Sequence, residues 1–223
     1  MTAMDFFADI DNIFFDFDGT LCDTADDIRA AWRAAIAELK LDPARFERIY
    51  RIGPPTVESA RSFFPDADDA LIRELCEAYW RRYWSSDYPR SYAYPGVDAM
   101  LKKLKATGRR LFIATNKNGF PLRKLVEKLG WNGVFEELLD RDMLPAGETE
   151  KAYLIREVLR RDRLDPRRSA MVGDTVLDIN AGKSAGILTV AVDYGYGCRE
   201  ELAGADRSMT LDDVAAFGAE AAR

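Results

Sequence analysis

The sequence predicts an α/β protein, a doubly wound parallel sheet interrupted once by an inserted block of helices. Three observations predict it. Short apolar runs, Ile13-Phe14-Phe15, Leu111-Phe112-Ile113-Ala114 and Ala170-Met171-Val172, each end in polar residues, as strands buried on both faces of a parallel sheet do. From about Ser91 onward such runs alternate with helical periodicity through short connections. Between Leu21 and about Ser91 there is no strand pattern, and the stretch is too long for an ordinary loop.

The elements follow in order. After the first strand, Thr24 is placed to cap a helix to about Leu39, with Ile28, Ala31, Trp32, Ala35 and Leu39 at helical spacing. Pro43 opens a second helix, Gly53-Pro54-Pro55 breaks the chain, and a third helix runs from Thr56 to Phe63. A fourth spans Asp68 to about Ser85 and carries Tyr79, Trp80, Tyr83 and Trp84, a stripe that reads as core before it reads as a binding platform. Tyr94-Pro95-Gly96 is a turn, followed by a helix marked by Val97, Met100, Leu101 and Leu104 that Gly108 ends. Beyond the Leu111 strand come a helix to about Leu129, a short strand within Phe135–Leu139, and a helix from about Thr149 to Asp162. The Ala170 strand is followed by a helix over Val176–Ala185 and a strand over Ile187–Val192. A last strand at Asp206–Met209 and a C-terminal helix complete the expectation. The reading is a Rossmann-like core from residues 1–20 and 92–223, with 21–91 as an all-helical cap domain; strand order is not legible at this level.

Bulk properties narrow the function. The 223 residues suffice for one large domain or one domain with an insert. A net charge of −6 argues against a general nucleic-acid binder. No apolar run is long enough to span a bilayer, and Met1-Thr2-Ala3-Met4-Asp5 lacks a signal-peptide pattern. Cys22, Cys76 and Cys198, odd in number and far apart, read as reduced thiols, so the expectation is a cytoplasmic protein without membrane or nucleic-acid partners. There is no histidine, so acid–base work falls to other side chains.

The polar strand ends concentrate the chemistry. Asp16 and Asp18 close the first run. If the strand stays extended through Phe17 they point the same way, at the carboxyl edge where α/β sheets bind ligands. Gly19 permits the turn that follows. Taken alone, the string also reads as a strand entering an acidic surface turn. Thr115-Asn116 and Gly173-Asp174 end the other two runs, and Asp178 lies in the first turn of the next helix, on the side of Asp174. Asp174 and Asp178 have capping and dipole readings of their own. Four carboxylates, Asp16, Asp18, Asp174 and Asp178, gathered on one edge look like a hard-cation site, and oxygen ligands suit Mg²⁺ better than zinc. Lys151, early in a helix, taken alone reads as a surface lysine.

The order Asp16-Phe17-Asp18-Gly19-Thr20, Thr115-Asn116, Lys151, and Gly173-Asp174-Thr175 with Asp178 resembles the four motifs of the haloacid dehalogenase superfamily, over nearly the whole chain. Tyr94-Pro95-Gly96-Val97, Thr115-Asn116-Lys117 and Ala185-Gly186 look most like its phosphoglycolate phosphatase branch. One departure is that Ala152, not proline, follows Lys151. The resemblance implies Mg²⁺-dependent hydrolysis of a small phosphorylated metabolite through an aspartyl-phosphate. Asp16 is then the nucleophile and Asp18 the acid and base. Mg²⁺ is held by Asp16, the main-chain carbonyl of Asp18, a phosphate oxygen and Asp174, with Asp178 binding it through water or orienting its shell. Lys151 supplies positive charge, Thr115 binds a phosphate oxygen, and Asn116 and Lys117 orient Thr115 or the substrate. The Arg51-Ile52-Gly53-Pro54 turn resembles the family's substrate-facing cap loop, which makes Arg51 a substrate-anion contact or, equally, a solvated arginine. A sugar phosphomutase of the same fold and a phospho-accepting signalling module remain open; the substrate and the oligomeric state are not legible.

Overall fold

The computed structural model describes residues 9–207 and 209–211. Eight strands and nine α-helices are assigned among them. β1 (Asn12–Phe15), β4 (Arg110–Ala114), β5 (Glu137–Leu139), β6 (Ser169–Gly173), β7 (Leu188–Val192) and β8 (Met209–Leu211) form one sheet in the order β5-β4-β1-β6-β7-β8, every pair parallel. The apolar runs become its four central strands because their side chains are buried on both faces. The chain builds outward from β1 to β4 and β5, then returns to β1's other side as β6. The strand order therefore reverses at β1, and in such sheets that switch point is where ligands bind. On one face Phe14, Phe112 and Met171 pack against α7 (Lys151–Arg161) and α8 (Val176–Ser184). α5 (Val97–Ala106), α6 (Gly119–Lys128) and α9 (Arg199–Gly204) complete the unit.

The chain divides into two compact units, one through Asp23 and from Tyr92 onward, the other Thr24–Ser91. The division falls three residues after the boundary expected at residue 20. The reason is a ribbon that is too short to leave a sequence pattern. β2 (Cys22–Asp23) pairs antiparallel with β3 (Tyr92–Ala93), and the Tyr92 hydroxyl donates to Asp23 Oδ2 at 3.0 Å.

The inserted unit contains α1 (Ala25–Glu38), α2 (Ala44–Ile49), α3 (Thr56–Phe63) and α4 (Asp69–Trp84). Its aromatic stripe splits. Tyr79 stacks on Trp32 at 4.2 Å and, with Tyr83, is buried, while Trp80 and Trp84 stack on each other farther out. Buried Asp27 accepts from Arg90 N and Ser91 Oγ, tying the end of the unit to its start. Thr24 precedes α1 without a capping bond from its side chain. The last strand lies at Met209–Leu211, beyond the expected Asp206–Met209, and the expected C-terminal helix lies outside the described residues.

Candidate active site

Strand alternation places the first component. Phe14 faces α7 and α8, and Asp16, two residues on, falls on the same side. There Lys151, the first residue of α7, donates from Nζ to Asp16 Oδ1 at 2.9 Å and to Asp178 Oδ1 at 2.5 Å. Lys151 is 4% exposed, so the surface-lysine reading is wrong. A cation at a helix N-terminus is disfavoured by the dipole, and these two carboxylates overcome that. Asp178 uses its other oxygen to accept from Thr175 N at 2.9 Å and Thr175 Oγ1 at 2.6 Å. It therefore serves the helix end and the site at once.

Asp174 follows β6 and is fully buried. Its oxygens accept from Thr20 Oγ1 at 3.1 Å and from the Tyr196 backbone N–H at 2.7 Å. Asp16, Asp174 and Asp178 each offer an oxygen within 4.8 Å of the others. Burial pushes the Asp16 carboxyl up to about 7 against the pull of Lys151, with repulsion from Asp178 and Asp18 adding to it. Burial, then repulsion from Asp178 and Asp16, lifts Asp174 to about 8. Burial alone would lower the Lys151 amine, but Asp16 and Asp178 hold it above its ordinary value. Three buried carboxylates against one ammonium leave an excess of negative charge that a divalent cation balances, and the donors are all hard oxygens. The residues present therefore fit a divalent metal.

Both raised carboxyls sit above their ordinary value of 3.8, so the folded metal-free protein holds protons that the unfolded chain gives up. Stability from these groups is present below about pH 4 and lost as pH rises through about 7 to 8. Thermal melts should show the metal-free protein weakening from pH 5.5 to 8.5 (roughly), with the gain on adding Mg²⁺ larger at the higher pH. An equal gain at both values would contradict the carboxylate cluster as the binding site.

Asp18 corrects one expectation. β1 ends at Phe15, and the chain turns back through Leu21 N and Cys22 N, both bonded to Phe17 O. Asp18 is therefore not held beside Asp16 by strand alternation, and its carboxylate stands outside the three-carboxylate cluster. Both its oxygens accept from Lys117 Nζ, at 2.8 and 3.0 Å. Lys117, expected to orient Thr115 or the substrate, gives its amine to Asp18. Its backbone N–H does reach Thr115 Oγ1 at 3.3 Å. Thr115 is buried at the end of β4, its own N–H bonded to Leu139 O, and Asn116 beside it is half-buried. Arg51 is exposed in the inserted unit, between α2 and α3.

The sequence reading missed the segment after β7. Tyr194 donates its hydroxyl to Thr20 O at 2.9 Å, and Tyr196 donates its hydroxyl to Asp23 Oδ1 at 2.8 Å. Gly19 has φ +85°, and a Cβ there would lie 2.3 Å from Asp174 Oδ2. At Gly197 a Cβ would lie 1.7 Å from the Asp174 carbonyl oxygen. The alternation Tyr194-Gly195-Tyr196-Gly197 at a strand's end was a signal of close backbone approach, but spacing alone does not say to what. Gly197→Ala should displace this segment and remove the Tyr196 bond from Asp174. The expected result is divalent-cation affinity weaker by about 10- to 100-fold with the fold retained, read from the dependence of the melting temperature on added cation. Unchanged affinity would show that the segment does not orient Asp174.

Comparisons agree with this geometry. Residues 13–192 match the haloacid dehalogenase-like hydrolase family. A phosphoglycolate phosphatase from Psychrobacter arcticus is 32% identical over 219 residues, covering 92% of this chain and 93% of the relative. A 5'-nucleotidase from Pseudomonas aeruginosa is 28% identical over 207 residues, covering 92% and 93%. A hydrolase of the haloacid dehalogenase-like family from Streptococcus pneumoniae superposes with a TM-score of 0.79 at 23% identity, covering 93% of this chain and 96% of that one. The match runs from β1 through β7 and includes Asp16, Asp18, Thr115, Lys151, Asp174 and Asp178, and on that extent the chain belongs to the haloacid dehalogenase-like hydrolases.

Proposed function

We propose that the protein is a Mg²⁺-dependent phosphatase that hydrolyses a small phosphate monoester, phosphoglycolate-like, through an aspartyl-phosphate on Asp16. The observation that supports this best is the buried cluster of Asp16, Asp174 and Asp178 around Lys151, with Asp18 gripped separately by Lys117. Mg²⁺, when bound, supplies the positive charge that lets an anionic carboxylate approach an anionic ester. Asp16, Asp174 and the main-chain carbonyl of Asp18 would hold it, with Asp178 binding it through water or orienting its shell.

Asp16 attacks phosphorus as a carboxylate. Lys151 holds the attacking group in place and stays charged throughout. Asp18, held by Lys117, serves as the acid that protonates the leaving alkoxide and then, as the carboxylate so formed, as the base that takes a proton from the water that opens the phosphoryl-Asp16 bond. Thr115 binds a phosphate oxygen, and Asn116 orients it. The inserted unit has the role of a cap that excludes stray water, and Arg51, exposed on one of its loops, is a candidate contact for a substrate anion or a solvated arginine.

Relatives named for phosphoglycolate and for nucleotides leave two substrate classes to separate. Released inorganic phosphate, measured with Mg²⁺ over a panel containing 2-phosphoglycolate and nucleoside monophosphates, tests the reading. Turnover that persists in chelator, or none on any ester, overturns it. Phosphoryl return to a hexose phosphate in place of phosphate release would mark a mutase.

A further inference from the structure

Arg141 opens the short single-turn helix Arg141–Met143 that follows β5. Its guanidinium has a buried nitrogen, Nη1, with no hydrogen-bond partner. The acids on either side do not take its charge. Asp140 accepts from Arg123 Nη1 and from the Asp142 N–H, and Asp142 accepts from Asn118 Nδ2 and the Gly119 N–H. A guanidinium nitrogen withdrawn from water and left without an acceptor is costly, and a native group of this kind asks for a partner from outside the chain.

The position is the catalytic edge. Phe15, Ile113 and Leu138 share one rung near the carboxyl ends of β1, β4 and β5, and Arg141 follows β5 where that strand leaves the sheet. The Arg141 N–H donates to Lys117 O at 3.1 Å, and Lys117 in turn holds Asp18. Arg141 is thus two hydrogen-bonded steps from Asp18, through the Lys117 carbonyl and the Lys117 amine. The lysines described at this edge are already committed, Lys151 to Asp16 and Asp178, and Lys117 to Asp18.

We propose that Arg141 binds a second anionic group, a carboxylate or a second phosphate, on the substrate's alcohol portion. The substrate class is then a phosphate monoester carrying a further anion, which sets it apart from a nucleoside monophosphate. The assignment rests on the phosphatase reading above. A planar guanidinium takes either anion through paired N–H bonds, which an ammonium does less well.

The test is the specificity ratio: kcat/KM for an ester with a second anion divided by kcat/KM for para-nitrophenyl phosphate, which has none. The probes are 2-phosphoglycolate for the carboxylate and fructose 1,6-bisphosphate for the second phosphate. Arg141→Gln should lower the ratio by about tenfold or more for one of them, chiefly through KM, and Arg141→Lys should restore part of it. The probe affected identifies the anion. The ratio cancels the fraction of folded enzyme, so a poorly folding variant still answers. A ratio within about twofold of wild type for both probes overturns the proposal. Wild-type enzyme that releases phosphate from none of the three esters fails the phosphatase reading itself, and this assignment with it.

Discussion

Replacing Asp16 by asparagine should abolish turnover while making the metal-free protein more stable. In the proposed mechanism the amide cannot attack phosphorus, and losing the nucleophile that begins each turnover is expected to cost about 10⁴-fold or more in kcat. The stability change has the opposite sign. Burial and repulsion from Asp178 and Asp18 oppose the charged Asp16 carboxylate in the metal-free fold, and its carboxyl is held up at about 7. An uncharged isostere removes that opposition above neutral pH. Lys151 keeps its 2.5 Å bond to Asp178 in the variant, so no buried cation is orphaned. Single-turnover phosphate release and a chelator-treated thermal melt at about pH 8 make the check. Normal turnover would remove Asp16 as nucleophile. A lower melting temperature would mean that its charge supports the fold rather than straining it.

Lys151→Met should act on the same cluster in the other direction. It removes the ammonium that bridges Asp16 and Asp178 and leaves the three buried carboxylates facing one another. Breaking a buried ion pair from one side typically costs about 3–5 kcal/mol, read here as a lower denaturant midpoint for the metal-free protein. Activity should fall by about 10²- to 10³-fold, the usual cost of losing one preorganised positive donor. Added Mg²⁺ should recover much of the stability, because a divalent ion answers the same excess charge, but not the rate. A metal-free variant as stable as wild type would show that Lys151 does not hold these carboxylates together. The two substitutions thus separate charge balance from chemistry within one cluster.

Legibility of the site followed burial. Asp16 and Asp174 were readable because each ends a run too apolar to be anything but a central strand, and a carboxylate there needs compensation. Asp178 was readable from its spacing to Asp174 on a helix start. Lys151 was ambiguous, since a lysine in a first turn is usually solvated. Only the packing of α7 against the β1 face shows that its amine is buried between two acids. Asp18 was placed beside Asp16 on the assumption of a continuous strand, and the turn at Phe17 broke that assumption. Lys117 as its partner, 99 residues away in sequence, left no local trace. The Tyr194–Gly197 segment and Arg141 were passed over for the same reason: their meaning lies in what the sheet brings next to them.

What the sequence determined by itself was local and periodic: the buried strands, the helices between them, the absence of strand pattern in the insert, and the polar residues at the strand ends. These depend on side-chain chemistry within a few positions, which hydrophobic burial converts directly into structure. The tertiary structure alone decided the strand order that puts β1 at the switch point and the short ribbon that closes the insert. It also decided which cation faces which carboxylate. Such long-range contacts join residues as much as 174 positions apart, as between Thr20 and Tyr194, and they are set by how the elements pack on a twisted sheet rather than by any preference of the residues themselves.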